Sequence, residues 1–284
     1  MTIKDETPEY QRQTPIAHAD ALSATFLTHR HHLASAMWHP QHRLQIGRVS
    51  LLRPLFQLEI RMGEVGTASM STVLSTHKGV PAFRSSLITR GNDKLDNMFI
   101  MRDTLLCYTT TDITPLYYRK GAREGKRYYV DELWYSYPKG NSHLKMHRID
   151  ADGKHHWKQA EYKDCIYDMM SIFLRARNFD TSKLRKGENI PMPISDARHL
   201  SNSWLKYGGK TTLKMKNSNA KFRCLIFSFI EREDGKNHEL IRFFVTDDKN
   251  HLPVRLDMFL SFGSAKAYLT GMKGLRNELT SKEK

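Results

Sequence analysis

The sequence predicts an all-β protein: a broad, mainly antiparallel sheet, open or partly closed, accompanied by one α-helix. Three observations carry this prediction. The segment Tyr128–Tyr137 is rich in Tyr, Val and Trp, side chains that favour a pleated, half-buried surface. Short strands separated by turn signals recur along most of the chain from Gly66 onward. Convincing helical periodicity of apolar residues is confined to Asp164–Arg177.

The strands of the first half are bounded by short polar turns rich in Gly, Asn, Asp and Pro. Pro138–Asn141 predicts one hairpin turn, and Ala151–Gly153 predicts the next, with Asp-Gly at its centre. The predicted strands are Thr67–Ser75, Ala82–Thr89, Thr104–Thr110, Leu116–Arg119, Tyr128–Tyr137, Ser142–Ile149 and Lys154–Ala160.

The helix is predicted over residues 164–177, with Asp164 as its N-cap. Its apolar side chains share one face, which we expect the sheet to cover. Strands then resume, and Gly208-Gly209 predicts a bulge or bend in the first of them. The predicted strands of the second half are Trp204–Lys216, Phe222–Glu231, Leu240–Thr246, Val254–Leu260 and Ala265–Thr270.

The charge is strongly basic, with a formal net charge of +15. Residues 1–64 carry seven Lys/Arg and six Asp/Glu, so nearly all of the excess lies in residues 65–284. A basic surface favours anionic partners such as nucleic acid, phosphorylated glycan or anionic lipid, although a generally basic, solvated surface explains the same charge. No apolar run reaches 18 residues, which predicts no transmembrane helix.

Three segments follow from these patterns. Residues 1–64 show no sustained period and are poorly specified, residues 65–277 form the antiparallel domain, and residues 278–284 form a tail. The N-terminus lacks a signal-peptide pattern, so the chain as written reads as cytoplasmic. The cysteines, Cys107, Cys165 and Cys224, lie far apart in apolar runs and are expected to be buried thiols.

A basic–aromatic segment is the main candidate binding site. Lys120–Arg127 is interpreted as a basic turn, and it leads directly into aromatic residues that can support a bound anion by stacking. A solvated hairpin tip is the alternative explanation. The candidate residues are Lys120, Arg123, Lys126, Arg127 and Tyr128.

The predicted helix offers a second candidate. Met169, Met170 and Phe173 can line a lipid-binding groove, or they can simply belong to the core, as helix stripes usually do.

Catalytic and metal-binding patterns are weak. His143 and His147 are roughly 13 Å apart along one strand, too far for one metal ion, and His155 and His156 point to opposite faces. The sequence therefore predicts no metal site, no cofactor and no catalytic constellation. Asp247-Asp248 lacks the further ligands of a calcium loop and is expected to be a solvated turn.

Several blocks resemble the domain-of-unknown-function 3108 family, especially its exported members in Bacteroidota. These blocks are Arg84–Asn92, Arg119–Tyr137, Asp168–Arg177, Arg242–Met258 and Phe262–Gly274. The resemblance covers Gly66 to about Asn277 and implies a YmcC-like half-barrel, in which a curved antiparallel sheet wraps around one helix. It also implies export to the periplasm or cell envelope, and it supplies no catalytic residues.

The chain departs from this family ahead of Gly66, where family members have a signal peptide and then an aromatic strand region. Shifted by one base, the codons for residues 46–64 can encode an alternating aromatic string with two Trp. We therefore hypothesise a frameshift near Glu64, which the nucleotide sequence can test.

Together these patterns predict a non-enzymatic cell-envelope protein that binds or carries an amphiphilic or anionic ligand, lipid or glycan. An envelope enzyme acting on polysaccharide is one alternative, and a buried carboxylate pair on the concave face would favour it. A cytoplasmic nucleic-acid-binding protein is the other, and it is disfavoured if the chain is exported. The sequence leaves the oligomeric state open.

Overall fold

A computed structural model describes residues 56–62, 66–93, 100–215, 219–260 and 263–283. These residues form sixteen strands and one α-helix, α1 (Met169–Ala176). The strands are β1 Phe56–Met62, β2 Gly66–His77, β3 Val80–Gly91, β4 Met101–Thr109, β5 Pro115–Glu124, β6 Arg127–Ser136, β7 Ser142–Ile149, β8 His155–Tyr162, β9 Asn189–Pro191, β10 Ile194–Ser195, β11 Leu200–Lys214, β12 Lys221–Glu233, β13 Lys236–Thr246, β14 Pro253–Leu260, β15 Gly263–Lys273 and β16 Lys282–Glu283.

The strands form one antiparallel sheet that curves around the helix, as the sequence predicts. Its order is β10-β11-β12-β13-β14-β15-β1-β2-β3-β4-β5-β6-β7-β8, with β9 and β16 added beside β11 and β12. Both halves are meanders in which each strand pairs with the next one along the chain. Strand β1 pairs with β2 on one side and β15 on the other, so it joins the two halves.

Tight turns set the strand registers where the sequence carries Gly. Lys78-Gly79 and Asp234-Gly235 each have two consecutive positive φ angles, 49° and 78° in the first and 48° and 78° in the second. Two such residues form the type I′ turn whose twist matches a β-hairpin. The predicted bulge is confirmed: the β11–β12 register shifts between Tyr207 and Gly209, where Gly209 has a φ of +94°.

Two apolar clusters meet at the helix. One lies against strands β2 and β4–β7 and takes in Met170 and Leu174, and the other lies against β10–β13 and takes in Ile172. Burying each of these three side chains stabilises the fold by about 1.5–3 kcal/mol. The helix therefore fills the space inside the curved sheet, as the apolar stripe predicts.

The predicted helix start is wrong by one turn. Helix α1 begins after Asp168, whose carboxylate accepts hydrogen bonds from the backbone N–H groups of Met170 and Ser171, at 2.8 and 2.9 Å. The Ser171 hydroxyl accepts the Asp168 N–H in return, which completes a capping box. The preceding residues are held extended, because Tyr167 pairs in parallel with Ile194. Asp164 is therefore not the N-cap.

The sheet extends beyond both predicted domain limits. Strand β1 lies within the segment 1–64 that the sequence leaves unspecified, and it pairs with the next strand, β2, and with the distant β15. Strand β16 lies within the predicted tail, where it pairs with β12. The backbone N–H of Ser281 also donates to the Asp248 carboxylate at 3.2 Å. Residues 1–55, including their histidines, lie outside the part of the chain that the structure describes.

Candidate functional site

The basic–aromatic segment is divided between the two faces of the sheet. Only Gly125 and Lys126 form the turn, since Glu124 already pairs with Arg127 across the hairpin. Successive side chains of a strand point to opposite faces. Because the buried residues Tyr118 and Ala122 of β5 face the core, Lys120 faces inward with them. Arg123 therefore faces outward, so the predicted basic turn is a strand hairpin with two different surfaces.

On the outer face, part of the predicted set surrounds a depression of about 610 Å³, here called the outer depression. Its lining includes four cationic side chains and no carboxylate. The lining residues are Arg102, Thr104, Arg119, Gly121, Arg123, Lys126 and Tyr128. Three of the five predicted residues, Arg123, Lys126 and Tyr128, are thus brought together. Arg102 and Arg119 were missed, although their outward position follows from strand alternation once the register is known.

Tyr128 lies across a glycine at the floor of this depression. A Cβ atom added to Gly121 would lie 2.8 Å from the Tyr128 hydroxyl oxygen and 3.2 Å from Nη1 of Arg119. A glycine inside a strand commonly marks such a close approach. The Tyr128 residue is 52% exposed. The depression therefore presents an aromatic side chain with guanidinium and ammonium groups around it.

Glu132 marks the boundary between the outer depression and a row of aromatic side chains. Its carboxylate lies 3.7 Å from Nε of Arg119 and accepts a hydrogen bond from the Tyr117 hydroxyl at 2.5 Å. Burial, and then this hydrogen bond, raise the pKa of Tyr117 well above its ordinary value. Tyr117 therefore stays a neutral donor, and Glu132 offsets part of the positive charge of Arg119 at the edge of the depression.

Aromatic rings from neighbouring strands stack along the outer face beyond Glu132. The Trp157 ring lies 4.0 Å from the His147 ring at an interplanar angle of 13°, and 5.8 Å from the Trp134 ring. Cross-strand aromatic pairs of this kind stabilise a sheet. The row therefore supports the sheet, and within it the Trp157 residue is 52% exposed, as much as Tyr128.

His147 is paired in a way that strand-by-strand reading of the sequence missed. Its Nδ1 lies 2.9 Å from Oε2 of Glu132, and its Nε2 lies 2.9 Å from Nδ1 of His155. Spacing along one strand cannot reveal this contact. The register of the β7–β8 hairpin reveals the contact, because Ile149 pairs with His155 and His147 pairs with Trp157. Both histidines therefore lie on one face of the sheet.

The inward-facing part of the basic–aromatic segment lies at a second depression of about 430 Å³, here called the inner rim. Its lining includes Glu124, Arg127, Tyr129, Arg148 and Arg198. The Tyr129 hydroxyl donates to Glu124 and receives a hydrogen bond from Lys120 at 3.3 Å. Unlike the outer depression, this surface combines both signs of charge.

Two carboxyl groups on the inner face have perturbed ionisation. Asp131 accepts a hydrogen bond from Nη1 of Arg148 at 3.0 Å, yet burial raises its pKa above the ordinary value. Burial also raises the pKa of Asp103, and the negative charge of Glu124 adds to that shift while Lys120 opposes it. Asp131 is buried, and Asp103 is half-buried.

The three predicted groove residues do not share one surface. Met170 is only 2% exposed within the core, whereas Met169 is 47% exposed. Phe173 is partly buried, and its ring lies 6.5 Å from that of Phe243. The predicted groove is therefore not assembled at these positions, because the helix turns Met169 away from the side that packs on the sheet.

The remaining candidates have structural partners. His143 pairs with Glu161 at 3.0 Å, and His156 pairs with Asp150 at 2.7 Å. Asp248 caps its turn by accepting from Thr246 and Asn250. Within the described ranges, no group of three or more His, Cys, Asp or Glu side chains is arranged to hold a metal ion. Cys107 and Cys224 are buried, as expected, and Cys165 is half-buried.

Comparisons with known proteins identify the family of the chain. No curated protein matches the chain. A solved structure, that of a β-barrel-like protein of the domain-of-unknown-function DUF1849 from Brucella abortus, is similar with a TM-score of 0.48 and 9% identity, covering 78% of this chain and 97% of that one. Among the described helices, none is both long enough and apolar enough to cross a bilayer. A family model matches residues 55–270, so the chain belongs to the family described as "Protein of unknown function (DUF3108)".

Proposed function

We propose that this protein is a non-enzymatic cell-envelope protein that binds an anionic ligand, an acidic glycan or an anionic lipid headgroup, in the outer depression. The observation that carries the proposal is the combination of Arg102, Arg119, Arg123 and Lys126 around Tyr128, with no carboxylate in the lining. Arginine presents paired donors that match phosphate, sulfate and carboxylate groups.

The floor of the depression supports the same proposal. Gly121 lets Tyr128 lie close to the sheet, so a ligand can approach both the ring and the surrounding cations. Of the predicted basic residues, Lys120 and Arg127 lie on the opposite face and take no part. The proposed envelope location rests on the resemblance that the sequence shows to exported members of the family.

The binding proposal can be tested with a pair of charge-matched variants of the full chain. R123Q/K126Q removes two positive charges from the outer depression, and K120Q/R127Q removes two from the inner face of the same hairpin. We expect the first to weaken binding of a sulfated tetrasaccharide at least about tenfold, and the second to change it less than about threefold. Isothermal titration calorimetry at two salt concentrations measures both. Equal losses in the two variants would contradict the proposed site.

A parallel set of probes distinguishes a glycan ligand from a lipid headgroup. Binding to the tetrasaccharide without binding to phosphatidylglycerol vesicles assigns a glycan, and the reverse assigns a lipid headgroup. Single-stranded DNA is included because a basic surface with an exposed aromatic ring also suits nucleic acid. DNA binding much tighter than that of both other probes would overturn the envelope-ligand proposal.

A second candidate function is hydrolysis of polysaccharide at the inner face. The specific observation in its favour is that Asp103 lies on the inner face near Glu124, where burial raises the pKa of Asp103 and also that of Asp131, since perturbed carboxyl groups concentrate at catalytic sites. Release of reducing ends from envelope polysaccharide, abolished by D103N but retained by R123Q/K126Q, would favour it over the binding function.

A further inference from the structure

We propose that His147 and His155 form a binding site for a divalent transition-metal ion on the outer face of the β7–β8 hairpin. The site is separate from the outer depression, and it does not depend on the proposed anion-binding function. The metal class that the geometry fits best is Cu²⁺ or Ni²⁺, for the reasons that follow.

A hydrogen bond already holds the two imidazole nitrogens at ligand spacing. Nε2 of His147 and Nδ1 of His155 are 2.9 Å apart. The two residues occupy adjacent antiparallel strands, displaced by two pairs along the register, on the same face. A hairpin holds such positions rigidly, so the ligands require little reorganisation to bind one ion.

Glu132 fixes the tautomer of His147 that metal binding requires. A carboxylate only accepts hydrogen bonds, so Nδ1 of His147 carries the proton that points at Oε2, 2.9 Å away. The lone pair of Nε2 then accepts a hydrogen bond from Nδ1–H of His155, and a bound ion would replace this proton, which moves to Nε2 of His155. A carboxylate–histidine pair of this form is the usual second layer around a bound metal. Tyr117 and Arg119 in turn hold the carboxylate in place.

The nitrogen–nitrogen distance, which the hydrogen bond sets, also matches the ligand spacing of one class of ion. Two nitrogens each about 2.0–2.1 Å from one ion lie about 2.9 Å apart when the angle between them is 90°, and about 3.4 Å apart at a tetrahedral angle. Right-angled nitrogen ligands are typical of tetragonal Cu²⁺ and Ni²⁺. Zn²⁺ requires His155 to move by several tenths of an ångström, which its exposed position permits.

The surroundings combine a rigid ligand with an accessible one. His147 is 5% exposed and stacks on Trp157, so its ring is fixed. His155 is exposed on the edge strand β8 and gives the ion a route from solvent. Because the described residues supply two protein ligands, solvent would complete the coordination, and we expect an affinity weaker than that of a structural zinc site.

The proposal is tested by titrating the full-length protein with Cu²⁺ and recording calorimetric stoichiometry and electron paramagnetic resonance. Other histidines, six of them in residues 1–64, also bind copper, so variants define the site. H155A removes the exposed ligand. H143A is the matched control, because His143 lies on β7 and pairs with Glu161 instead. E132Q keeps both histidines and removes the carboxylate charge behind His147.

We expect H155A to lose one equivalent of bound Cu²⁺ together with a tetragonal signal from nitrogen ligands, and H143A to retain both. E132Q should retain the equivalent with affinity lowered about 10–100-fold. The proposal is overturned if H155A and H143A bind the same number of ions with the same spectrum. It is equally overturned if E132Q binds as tightly as the parent.

Discussion

At the residue scale, the buried carboxyl group of Asp168 makes the stability of the fold depend on pH. It is 0% exposed and caps helix α1. Burial raises its pKa from the ordinary value near 3.8 to about 6, although the hydrogen bonds from Ser171 and Met170 oppose the shift. The folded state therefore binds this proton more tightly than the unfolded state does.

The contribution of Asp168 to stability should consequently be greatest below about pH 4 and should be lost as the pH rises to about 6 and above. A shift of about two units corresponds to about 3 kcal/mol. D168N, which keeps an oxygen for the cap and cannot ionise, should lose this dependence. Denaturant unfolding of both proteins between pH 4 and pH 8 measures the difference.

D164N is the control, because Asp164 is exposed and lies outside the helix. It should keep the pH dependence of the parent. A D168N variant whose stability changes with pH in parallel with that of the parent would show that Asp168 is ionised in the folded state without cost.

The face of the sheet on which a side chain lies is also determined at the residue scale. The separation of Lys120 from Arg123 by an odd number of positions was enough to predict opposite faces of a strand, once Arg119–Glu124 is recognised as strand. Charged residues and a glycine such as Gly121 are typical of turns, so this strand was interpreted as a turn. The His147–His155 contact could not be read from either strand alone, because it depends on the hairpin register.

At the element scale, helix α1 holds the two halves of the interior together. Leu174, 7% exposed, belongs to the cluster beneath β2 and β4–β7, whereas Ile172 belongs to the cluster beneath β10–β13. The period of the apolar residues correctly predicted that the sheet packs on this face of the helix. The helix start could not be predicted, because the pairing of Tyr167 with Ile194 is a tertiary contact that keeps the preceding residues extended.

L174A should therefore lower the free energy of unfolding by about 2–5 kcal/mol, as expected when a buried leucine leaves a cavity. M169A, on the exposed side of the same helix, should change it by less than about 0.5 kcal/mol. Urea denaturation followed by tryptophan fluorescence measures both. Similar effects of the two variants would contradict the orientation of the helix.

At the scale of the whole molecule, the two meanders become one sheet through β1. The alternating strands after Gly66 were recognisable because each pairs with its neighbour in sequence, and turns such as Asp234-Gly235 mark the reversals. The role of β1 was not recognisable, because its partner β15 lies about two hundred residues further along the chain. The family match includes residues 55–64 as printed, the stretch that the frameshift hypothesis assigns to another frame.

A proline in β1 should consequently weaken both halves together. Leu58 pairs with Met70 on one side and Met272 on the other. L58P removes a backbone donor from the middle of the sheet and should lower the free energy of unfolding. Hydrogen exchange should accelerate in both β2 and β15. Acceleration confined to one of them would show that β1 does not join the two halves.

The central functional claim is that anions bind on the outer face of the hairpin and not on its inner face. The most direct measurement is amide chemical-shift mapping of the isotope-labelled protein during titration with a sulfated tetrasaccharide. We predict that the largest shifts fall on Arg102, Arg119, Gly121 and Arg123, with small shifts at Arg148 and Arg198. The largest shifts at Arg148 and Arg198, with those four residues unchanged, would contradict the claim.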